Sequence, residues 1–326
     1  MLLIYIKPIK MSEEIAVYQQ VKKRLSAEYP ENQTILDRCG MKLAGFFGEA
    51  SLAYSLSHYE KESFRIFHDL RLYDGKNFFQ LDFLILTSSF AAIIEVKNIA
   101  GKLYFDVDHH QLLREKDGIT ETFSCPLLQV RMHKEQLNWW LYRYGIHDLP
   151  IVHFVVISNP RTQLKFSTPT LSAQVMHQKK LYFALQDTNH TYTKEYLDIK
   201  TLKKLQEEIL REHHPIRGTE VLKNLGITSD DLIPGIICPS CDRPPLIRLH
   251  GRWTCEFCEE IFKDEVCEQT LKDMHLFYEN KVPLAQIQDF LNLSSSQVTK
   301  RICKKFNIPV CGRGKATRYV LDAFDR

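Results

Sequence analysis

The sequence predicts an α/β protein in which a mixed central sheet flanked by helices precedes two small modules. An apolar stretch over residues 79–101 is typical of two adjacent buried strands, and the second strand ends in charged residues. Two CxxC pairs within residues 238–258 indicate a compact metal-bound module, and a helical segment rich in Lys and Arg follows them. The 326 residues, 44% hydrophobic and 25% charged, are enough for two or three globular domains.

Composition and cysteine usage narrow the class of protein and the compartment. The net charge is only +3, so no global electric field points to nucleic acid. Lys7, Pro8 and Lys10 interrupt the apolar run Leu2–Ile6, so we expect no secretory signal, and no run is long enough for a membrane span. Nine cysteines, four of them in CxxC pairs, favour metal binding over a disulfide framework. We therefore expect a cytoplasmic protein without membrane contact.

Residues 1–40 are expected to cap the domain that follows. Residues 2–6 predict a short strand, and Glu13–Glu28 predicts a helix with partly periodic apolar residues. The next helix is predicted over Phe46–Ser57, with Glu49 on its apolar face. A Glu on such a face needs a partner or a function.

The stretch from Phe79 to Gly101 combines buried strands with charged side chains. It predicts two strands joined by a short turn, over residues 79–86 and 90–98. Asp82 in the first strand can lie beside Glu95 in the second, and alternation places Lys97 on the same face as Glu95, roughly 7 Å away. Two such acids can hold a divalent cation through hard oxygen ligands. The alternative is a surface hairpin with a solvated Glu–Lys pair, but the flanking strand is too apolar for full exposure.

The order Asp–x12–Glu–x–Lys resembles the core of the PD-(D/E)xK nuclease superfamily, and its context resembles the nuclease-related domain (NERD) family within it. The resemblance covers about Met41 to Pro160. The matching segments are Gly45-Phe46-Phe47-Gly48-Glu49 opening a helix, Gln80-Leu81-Asp82 in one strand, Ile94-Glu95-Val96-Lys97-Asn98 in the next, and Gly101 after it. The resemblance implies a restriction-endonuclease-like mixed sheet flanked by helices, which we assign to a nuclease-like domain at residues 41–165.

The resemblance also implies the roles of the charged residues. Asp82 and Glu95 would hold Mg²⁺ or Mn²⁺, and Glu49 would join them directly or through water. Lys97 would act on the attacking water or on the developing negative charge. For Glu49 the alternative is an ordinary first-turn Glu, favoured by the helix dipole.

A helix predicted over Pro126–Tyr142 provides further candidates. In this superfamily the helix after the ExK strand often supplies a Gln, so Gln129 is a candidate, and His133 four residues later is a secondary one. We expect Trp139 and Trp140, on the same helix, to be core or helix-packing residues rather than a platform for stacked bases.

The remaining parts of this region carry no assigned chemistry. His68 and Asp69 are adjacent in a predicted strand, so they face opposite sides and cannot form a local catalytic pair. Residues 166–235 are expected to be an extension and linker, with a strand over 181–185 and a helix over 193–211.

Two CxxC pairs, Cys238/Cys241 and Cys255/Cys258, are separated by thirteen residues. Four thiolates at this spacing close a tetrahedral zinc site and leave no open position, so the zinc would be structural. The intervening residues favour a hairpin, and the module at residues 236–262 therefore resembles a zinc ribbon. The alternative is four unrelated buried thiols, and the other five cysteines lack matching spacing.

Residues 264–326 predict a small helical, winged-helix-like module. Helices are expected over Asp264–Tyr278, over Pro283–Leu291, and from Ser294 to about Phe306, with Gln297 as a capping-box partner of Ser294. A helix, a short turn and a second helix resemble a helix-turn-helix, and the residues after them resemble a wing hairpin.

Positive charge is concentrated in the last part of this module. From residue 294 to the end there are eight basic residues against two acidic ones, Asp322 and Asp325, a net charge of +6. The basic residues are Lys300, Arg301, Lys304, Lys305, Arg313, Lys315, Arg318 and Arg326. This charge favours phosphate contacts, with a solvated bundle or a protein-contact module as the alternative.

Taken together, the sequence predicts a metal-dependent DNA nuclease with a zinc ribbon and a basic helix-turn-helix-like module. RNA remains an alternative substrate. A second reading is a nuclease-like protein without activity that binds DNA or acts as a regulator or scaffold, with the zinc ribbon docking a protein. The acid–acid–Lys set is intact, which argues against an inactive core. The sequence leaves open the oligomeric state, the sequence preference and the mode of cleavage.

Overall fold

The structure, a computed structural model, describes residues 4–57 and 64–321. Its helices are α1 (Glu13–Arg24), α2 (Asn32–Ser57), α3 (Pro126–Tyr142), α4 (Gln178–Thr191), α5 (Ile199–Arg211), α6 (Gly218–Leu225), α7 (Cys267–Asp273), α8 (Leu284–Phe290) and α9 (Ser296–Lys305). Its strands are β1 (Ile4–Lys7), β2 (Arg65–Tyr73), β3 (Phe78–Leu86), β4 (Ala91–Lys97), β5 (Lys102–Asp106), β6 (Gln111–Lys116), β7 (Ile119–Ser124), β8 (Ile151–Ile157), β9 (Gln163–Phe166), β10 (Val175–His177), β11 (Ile247–Leu249), β12 (Arg252–Thr254), β13 (Ile261–Phe262), β14 (Lys281–Val282), β15 (Val310–Cys311) and β16 (Arg318–Val320).

The chain divides into two compact units, Met1–Met11 with Ala44–Pro215, and Ser12–Leu43 with Ile216–Arg326. The boundary between them falls inside α2. No helix in the described ranges has both the length and the apolar character needed to cross a membrane.

The first unit is built on a mixed six-stranded sheet of order β1-β2-β3-β4-β8-β10. Neighbours β2, β3 and β4 are antiparallel, whereas β1 joins β2, β8 joins β4 and β10 joins β8 in parallel. Helices α3 and α5 pack on one face and α2 and α4 on the other. Covering both faces explains why β3 and β4 are apolar runs rather than alternating ones. This mixed sheet flanked by helices confirms the predicted fold class.

A second sheet of the same unit has the order β7-β6-β5-β9. Leu103, Phe105 and Leu112 from this sheet are buried in the core that also contains α3. The first strand of this sheet, β5, comes soon after β4 in the chain. Gly101, which immediately precedes β5, has a positive φ of 120°.

Three stretches of the first unit differ from expectation. The strand predicted over 181–185 is part of α4, because Leu181 and Leu185, four residues apart, bury the same helix face against the sheet. Strand β1 pairs with β2 as a sheet edge instead of capping the domain. The helix predicted from residue 46 starts at Asn32, so Gly45 and Glu49 lie well inside it rather than at its opening.

The second unit has one core, to which α1, α6 and the C-terminal elements contribute. Residues 12–40, expected in an N-terminal cap, belong to this unit, and so do residues 41–43, expected in the nuclease-like domain. Helix α6, expected to be part of a linker, buries Val221 and Leu222 in its core. The linker interpretation is therefore wrong for this stretch.

The C-terminal part of this unit contains two small three-stranded sheets, β11-β12-β13 and β14-β16-β15. The predicted hairpin between the cysteine pairs is β11–β12, and the predicted wing is β15–β16. The third helix, α9, starts one residue later than predicted, since Ser295 rather than Ser294 caps it and accepts a hydrogen bond from the Val298 N–H. Arg326, counted in the basic segment, and both acidic residues beside it lie outside the described residues.

Candidate active site and cysteine cluster

Asp82 and Glu95 lie at the point where β3 and β4 separate. The antiparallel ladder between these strands ends at the pair Phe83 and Ile94. In the same register Asp82 and Glu95 would form the next pair. Instead, the Asp82 carboxylate reaches across, and its Oδ2 accepts a hydrogen bond of 2.7 Å from the Val96 N–H. The side chain thus replaces a backbone partner and is held beside Glu95.

The Glu95 carboxylate is buried, and only one of its two oxygens has a hydrogen-bond partner among the described residues. The Glu95 side chain is 3% exposed, and its Oε1 accepts a hydrogen bond of 2.7 Å from the Lys97 ammonium. Its second oxygen, Oε2, is buried and has no hydrogen-bond partner among the described residues. His133 Nδ1 lies 3.9 Å from that oxygen, beyond hydrogen-bonding reach. A buried carboxylate oxygen without a partner is costly, so this atom is poised for a ligand that brings positive charge.

Lys97 and helix α3 complete this side of the site. Lys97 Nζ also donates to Gln129 Oε1 at 3.2 Å, so the Gln predicted on this helix contacts the predicted Lys. Pro126 occupies the first turn of α3, as expected. Of the two tryptophans expected to be core or helix-packing residues, Trp140 is buried, whereas Trp139 is 63% exposed. Trp139 is therefore not a core residue, and its ring instead lies 6.1 Å, between centroids, from that of Tyr142 on the same helix.

Helix α2 brings Glu49 to the opposite side of the site. A Cβ added at Gly48 would lie 2.7 Å from Asn98 Cβ and 2.8 Å from Ser158 Oγ, so only glycine lets the helix approach the end of β4 this closely. Asn98 Nδ2 donates to the Ala44 carbonyl at 2.8 Å and ties the two elements together. Because Glu49 lies in the interior of α2, the alternative of a first-turn Glu stabilised by the helix dipole is wrong.

His68 is a site residue to which sequence reasoning gave no role. Its side chain is almost fully buried in β2, and its Nε2 lies 2.9 Å from Glu49 Oε2, so the ring N–H donates to that carboxylate. Its neighbour Asp69 instead accepts from Gln80 and pairs with Lys7. The predicted opposite orientation assumed regular alternation, but the backbone at Asp69 has a positive φ of 51° and Phe67 and Leu70 share one core. The partner of His68 comes from helix α2, nineteen residues earlier in the sequence.

Burial and like charge set the electrostatics of the site. Burial raises the pKa of Asp82 well above its usual range, and the carboxylates of Glu95 and Glu49 raise it further. Burial alone would lower the pKa of Lys97, but the Glu95 carboxylate, followed by those of Asp82 and Glu49, raises it overall. Burial is the main reason that the pKa of the His133 imidazole lies below its usual value. The site therefore holds three carboxylates that interact with the Lys97 ammonium, and a further cation would stabilise this arrangement.

The type of donor atom at these residues fits a divalent metal. Mg²⁺ and Mn²⁺ prefer carboxylate oxygens, and Glu95 Oε2 is an unpartnered, buried donor of that type. Asp82, Glu95 and Glu49 do not bring three donor atoms within 4.8 Å of one another. Two of these carboxylates with water and phosphate oxygens would suit Mg²⁺, which usually keeps several waters.

The raised pKa of Asp82 has a consequence for stability. A carboxyl that binds its proton more tightly in the folded chain makes the fold more stable as the pH falls toward that raised pKa, and less stable above it. We therefore expect Asp82→Asn, in EDTA, to raise the melting temperature at pH 8, by roughly 2–4 °C for each kcal/mol of repulsion removed. The gain should disappear at acidic pH, where the Asp82 carboxyl is protonated.

A matched variant controls for the Asp-to-Asn change itself. Asp198 caps α5, and hydrogen bonds from Thr201 hold the pKa of its carboxyl below the usual range. Asp198→Asn should give no gain at pH 8 in the same melting experiment. A lower melting temperature for Asp82→Asn than for the wild type at pH 8 would contradict the repulsion argument.

The four paired cysteines form a cluster in the second unit. Their Sγ atoms all lie within 4.8 Å of one another, with Cys238–Cys258 and Cys241–Cys255 each at 3.6 Å. Sulfurs bound to one tetrahedral zinc at roughly 2.3 Å would be about 3.8 Å apart, so the cluster fits that ion. It is the one group of three or more such ligands found within the described part of the chain. The four-cysteine cluster is compatible with the zinc ribbon that the sequence predicted.

The basic residues of α9 and the wing differ in their surroundings. Lys300, Arg301 and Lys304 are exposed on α9, and Arg313 and Lys315 are exposed in the wing. Lys305 instead forms an ion pair of 2.8 Å with Glu265. The Arg318 guanidinium donates to the carbonyls of Lys315 and Thr317 within the wing. Five of the seven described candidates therefore present free charge to solvent, and two are engaged locally.

Residues 44–158 match the family model described as nuclease-related domain (NERD). The match lies within the stretch from Met41 to Pro160 over which the sequence resembled this family, and the resemblance is confirmed. It spans α2 from Ala44, the strands that carry Asp82 and Glu95, and helix α3. No protein of curated function and no solved structure matches the chain.

Proposed function

We propose that the chain is a metal-dependent nuclease of the PD-(D/E)xK type that hydrolyses phosphodiester bonds of DNA. The observation that carries this proposal is the buried Glu95 Oε2, which has no partner in the described chain and lies beside Asp82 and Lys97. A nuclease-related domain suggests a nuclease-related function and divalent metal use. The position of that oxygen within the matched region supports the finer assignment.

Asp82 and Glu95 would hold the metal, with Glu49 on the opposite side as a further ligand or as a ligand of bound water. When bound, Mg²⁺ or Mn²⁺ supplies a water of lowered pKa and neutralises charge on the phosphate oxygens. His68 acts through Glu49, since it donates to Oε2 and fixes the carboxylate on the buried side of α2.

Lys97 supplies a fixed positive charge in this proposal. Its ammonium is held between Glu95 Oε1 and Gln129 Oε1, and its pKa is raised, so it is protonated at neutral pH. A protonated lysine cannot accept a proton from water, so this structure favours neutralisation of the charge that develops on the phosphate. His133, whose pKa is lowered, is neutral at pH 7 and is a candidate to accept a proton near Glu95 Oε2.

The second unit would add affinity for nucleic acid. A structural zinc would hold the ribbon through its four cysteines, and α9 with the wing would contact phosphates. The helix, short turn, helix and hairpin of this unit support a helix-turn-helix-like role, as does the exposure of its basic side chains.

Replacing Lys300, Arg301 and Lys304 together by alanine is expected to weaken DNA binding and flatten its dependence on salt. Each phosphate contact contributes about 0.9 to the slope of log affinity against log salt, so the slope should fall by up to about 3. Lys305→Ala is the matched control, because its ammonium is already paired with Glu265. Equal slopes for the triple variant and the wild type would assign the segment to protein contacts.

The proposed function is tested by incubating the full chain with supercoiled plasmid, linear duplex, single-stranded DNA and RNA in Mg²⁺ or Mn²⁺. Cleavage of at least one DNA substrate is expected. Cleavage of RNA alone would change the substrate class. DNA binding without any cleavage would favour the inactive, regulatory alternative.

A further inference from the structure

Helix α3 has an unusual solvent-facing side. Four of its large apolar side chains are exposed, at spacings of 4, 7 and 3 residues that keep them on one stripe: Leu128, Met132, Trp139 and Tyr142. The solvent side of a surface helix is normally polar. Exposed apolar side chains aligned along one helix side indicate a binding surface.

A cavity of about 550 Å³ opens beside the centre of this stripe. Its walls are formed by Met132, Glu135, Gln136 and Trp139 from α3, and by Asp74, Gly75, Lys76 and Asn77 from the turn between β2 and β3. Both Asp74 carboxylate oxygens are engaged, with the N–H groups of Lys76 and Asn77 and with Gln136 Nε2. The turn is thereby fastened to the helix, and the Trp139 indole, the Lys76 ammonium, the Asn77 side-chain amide and the Glu135 carboxylate line the space that a ligand would enter.

The cavity lies on the same helix that contacts the candidate active site. Gln129 accepts a hydrogen bond from Lys97, and Trp139 lies ten residues further along α3, about 15 Å away at 1.5 Å per residue. A ligand in this cavity that extends along the helix would reach the active site within a few nucleotide lengths.

We propose that Trp139 is a stacking platform for an unpaired base of a single-stranded nucleic acid whose phosphodiester occupies the site at Glu95 and Lys97. This inference rests on the proposed function. An exposed indole in a cavity that Lys76 also lines fits a base attached to an anionic backbone. Stacking on an aromatic side chain is sequence-tolerant. Bases within a duplex are already stacked on both faces, so the platform selects single strands, flaps or frayed ends.

Tryptophan fluorescence provides a direct readout of this platform. The chain has three tryptophans, and Trp140 and Trp253 are 0% exposed, so quenching by soluble iodide reports on Trp139. Oligothymidylate, which cannot pair with itself, is titrated into the full chain in EDTA so that no cleavage occurs. We expect the oligonucleotide to quench the emission and to protect it from iodide, and a blunt duplex of the same length to do neither.

Variants then test the role of the indole. Trp139→Ala should weaken oligothymidylate binding roughly 5- to 150-fold, the range for losing one stacked base, while Trp139→Phe should retain most of the affinity. Phe183→Ala is the matched control, because Phe183 is also an exposed aromatic residue, at 61%, but lies on α4. It should bind like the wild type.

The outcomes separate this inference from the proposed function. Cleavage of DNA together with unchanged binding by Trp139→Ala would overturn the platform and leave the nuclease. A second outcome is that oligothymidylate quenches the wild type and binds Trp139→Ala more weakly, while the wild type cleaves no nucleic acid. That outcome would support the platform and overturn the proposed nuclease. A third outcome is that the wild type sediments as a dimer, Trp139→Ala sediments as a monomer, and the two bind the oligonucleotide equally well. The stripe would then bind a second copy of the chain, and the inference would be wrong.

Discussion

Glu95→Gln is expected to reduce metal-dependent cleavage by a factor of about 10²–10³ or more, the range for removing one preorganised charge-stabilising group. Glutamine has the shape of glutamate, and its amide oxygen can keep the hydrogen bond from Lys97. What it loses is the negative charge of the buried Oε2, which has no partner in the described chain. The variant should therefore fold and bind DNA normally but bind Mn²⁺ weakly.

Two further variants make the Glu95 result specific. Lys97→Ala should also lose rate but keep Mn²⁺ affinity in calorimetry, because the ammonium acts on phosphate charge rather than on the ion. Glu115→Gln is the matched control, since Glu115 is an exposed carboxylate paired with Lys102 in the second sheet. Wild-type cleavage rates in the Glu95→Gln protein would mean that the activity lies elsewhere or comes from a contaminant.

Cys255→Ser is expected to abolish zinc binding and to unfold the ribbon at residues 238–262 locally. The ribbon strands are two or three residues long and cannot form a stable core without the ion. Zinc binding to such small modules is worth on the order of 10–16 kcal/mol, so losing a ligand removes most of the local folding free energy. Metal analysis of protein purified without added zinc should give one zinc per wild-type chain and close to none for the variant.

Cys311→Ser is the control for the zinc experiment, because Cys311 lies outside the cluster and is only partly buried. It should retain one zinc per chain and the wild-type amide exchange pattern of the ribbon. A wild-type protein that contains no zinc while its ribbon amides remain protected from exchange would show that the four thiols fold without metal.

The strands and the cysteine cluster were predictable because their signals are local. Alternation and strand pairing follow from the positions of Asp82, Glu95 and Lys97 alone, and the register of β3 and β4 is the one that those positions require. The two CxxC pairs define a metal site through their spacing. Gln129 was proposed from the family resemblance, in which the helix after the ExK strand often supplies a Gln, and its side chain lies 3.2 Å from the Lys97 ammonium.

The features that sequence reasoning missed depend on contacts between distant segments. His68 finds its carboxylate on a helix nineteen residues away, and nothing in its own strand indicates that partner. Leu181 and Leu185 suit a strand or a helix equally well until a sheet face is available to cover them. Trp139 and Trp140 are adjacent and chemically identical, so only the orientation of α3 decides which of them is buried.

The early part of the chain illustrates the same limit. Hydrophobic residues of α1, such as Val17 and Val21, predict a helix with a buried face. They do not reveal which core that face joins, and in the folded chain it joins the second unit. Secondary structure was therefore readable here, whereas domain membership was not.

The most direct measurement is cleavage of DNA by the purified full chain as a function of Mg²⁺ or Mn²⁺ concentration, with Glu95→Gln purified in parallel. We predict cleavage by the wild type that requires the metal, stops with EDTA and is lost in the variant. Zinc in the ribbon should be unchanged in that variant, which excludes a general loss of fold. Wild-type protein that cleaves neither DNA nor RNA at any metal concentration, with its zinc in place, would contradict the proposed nuclease.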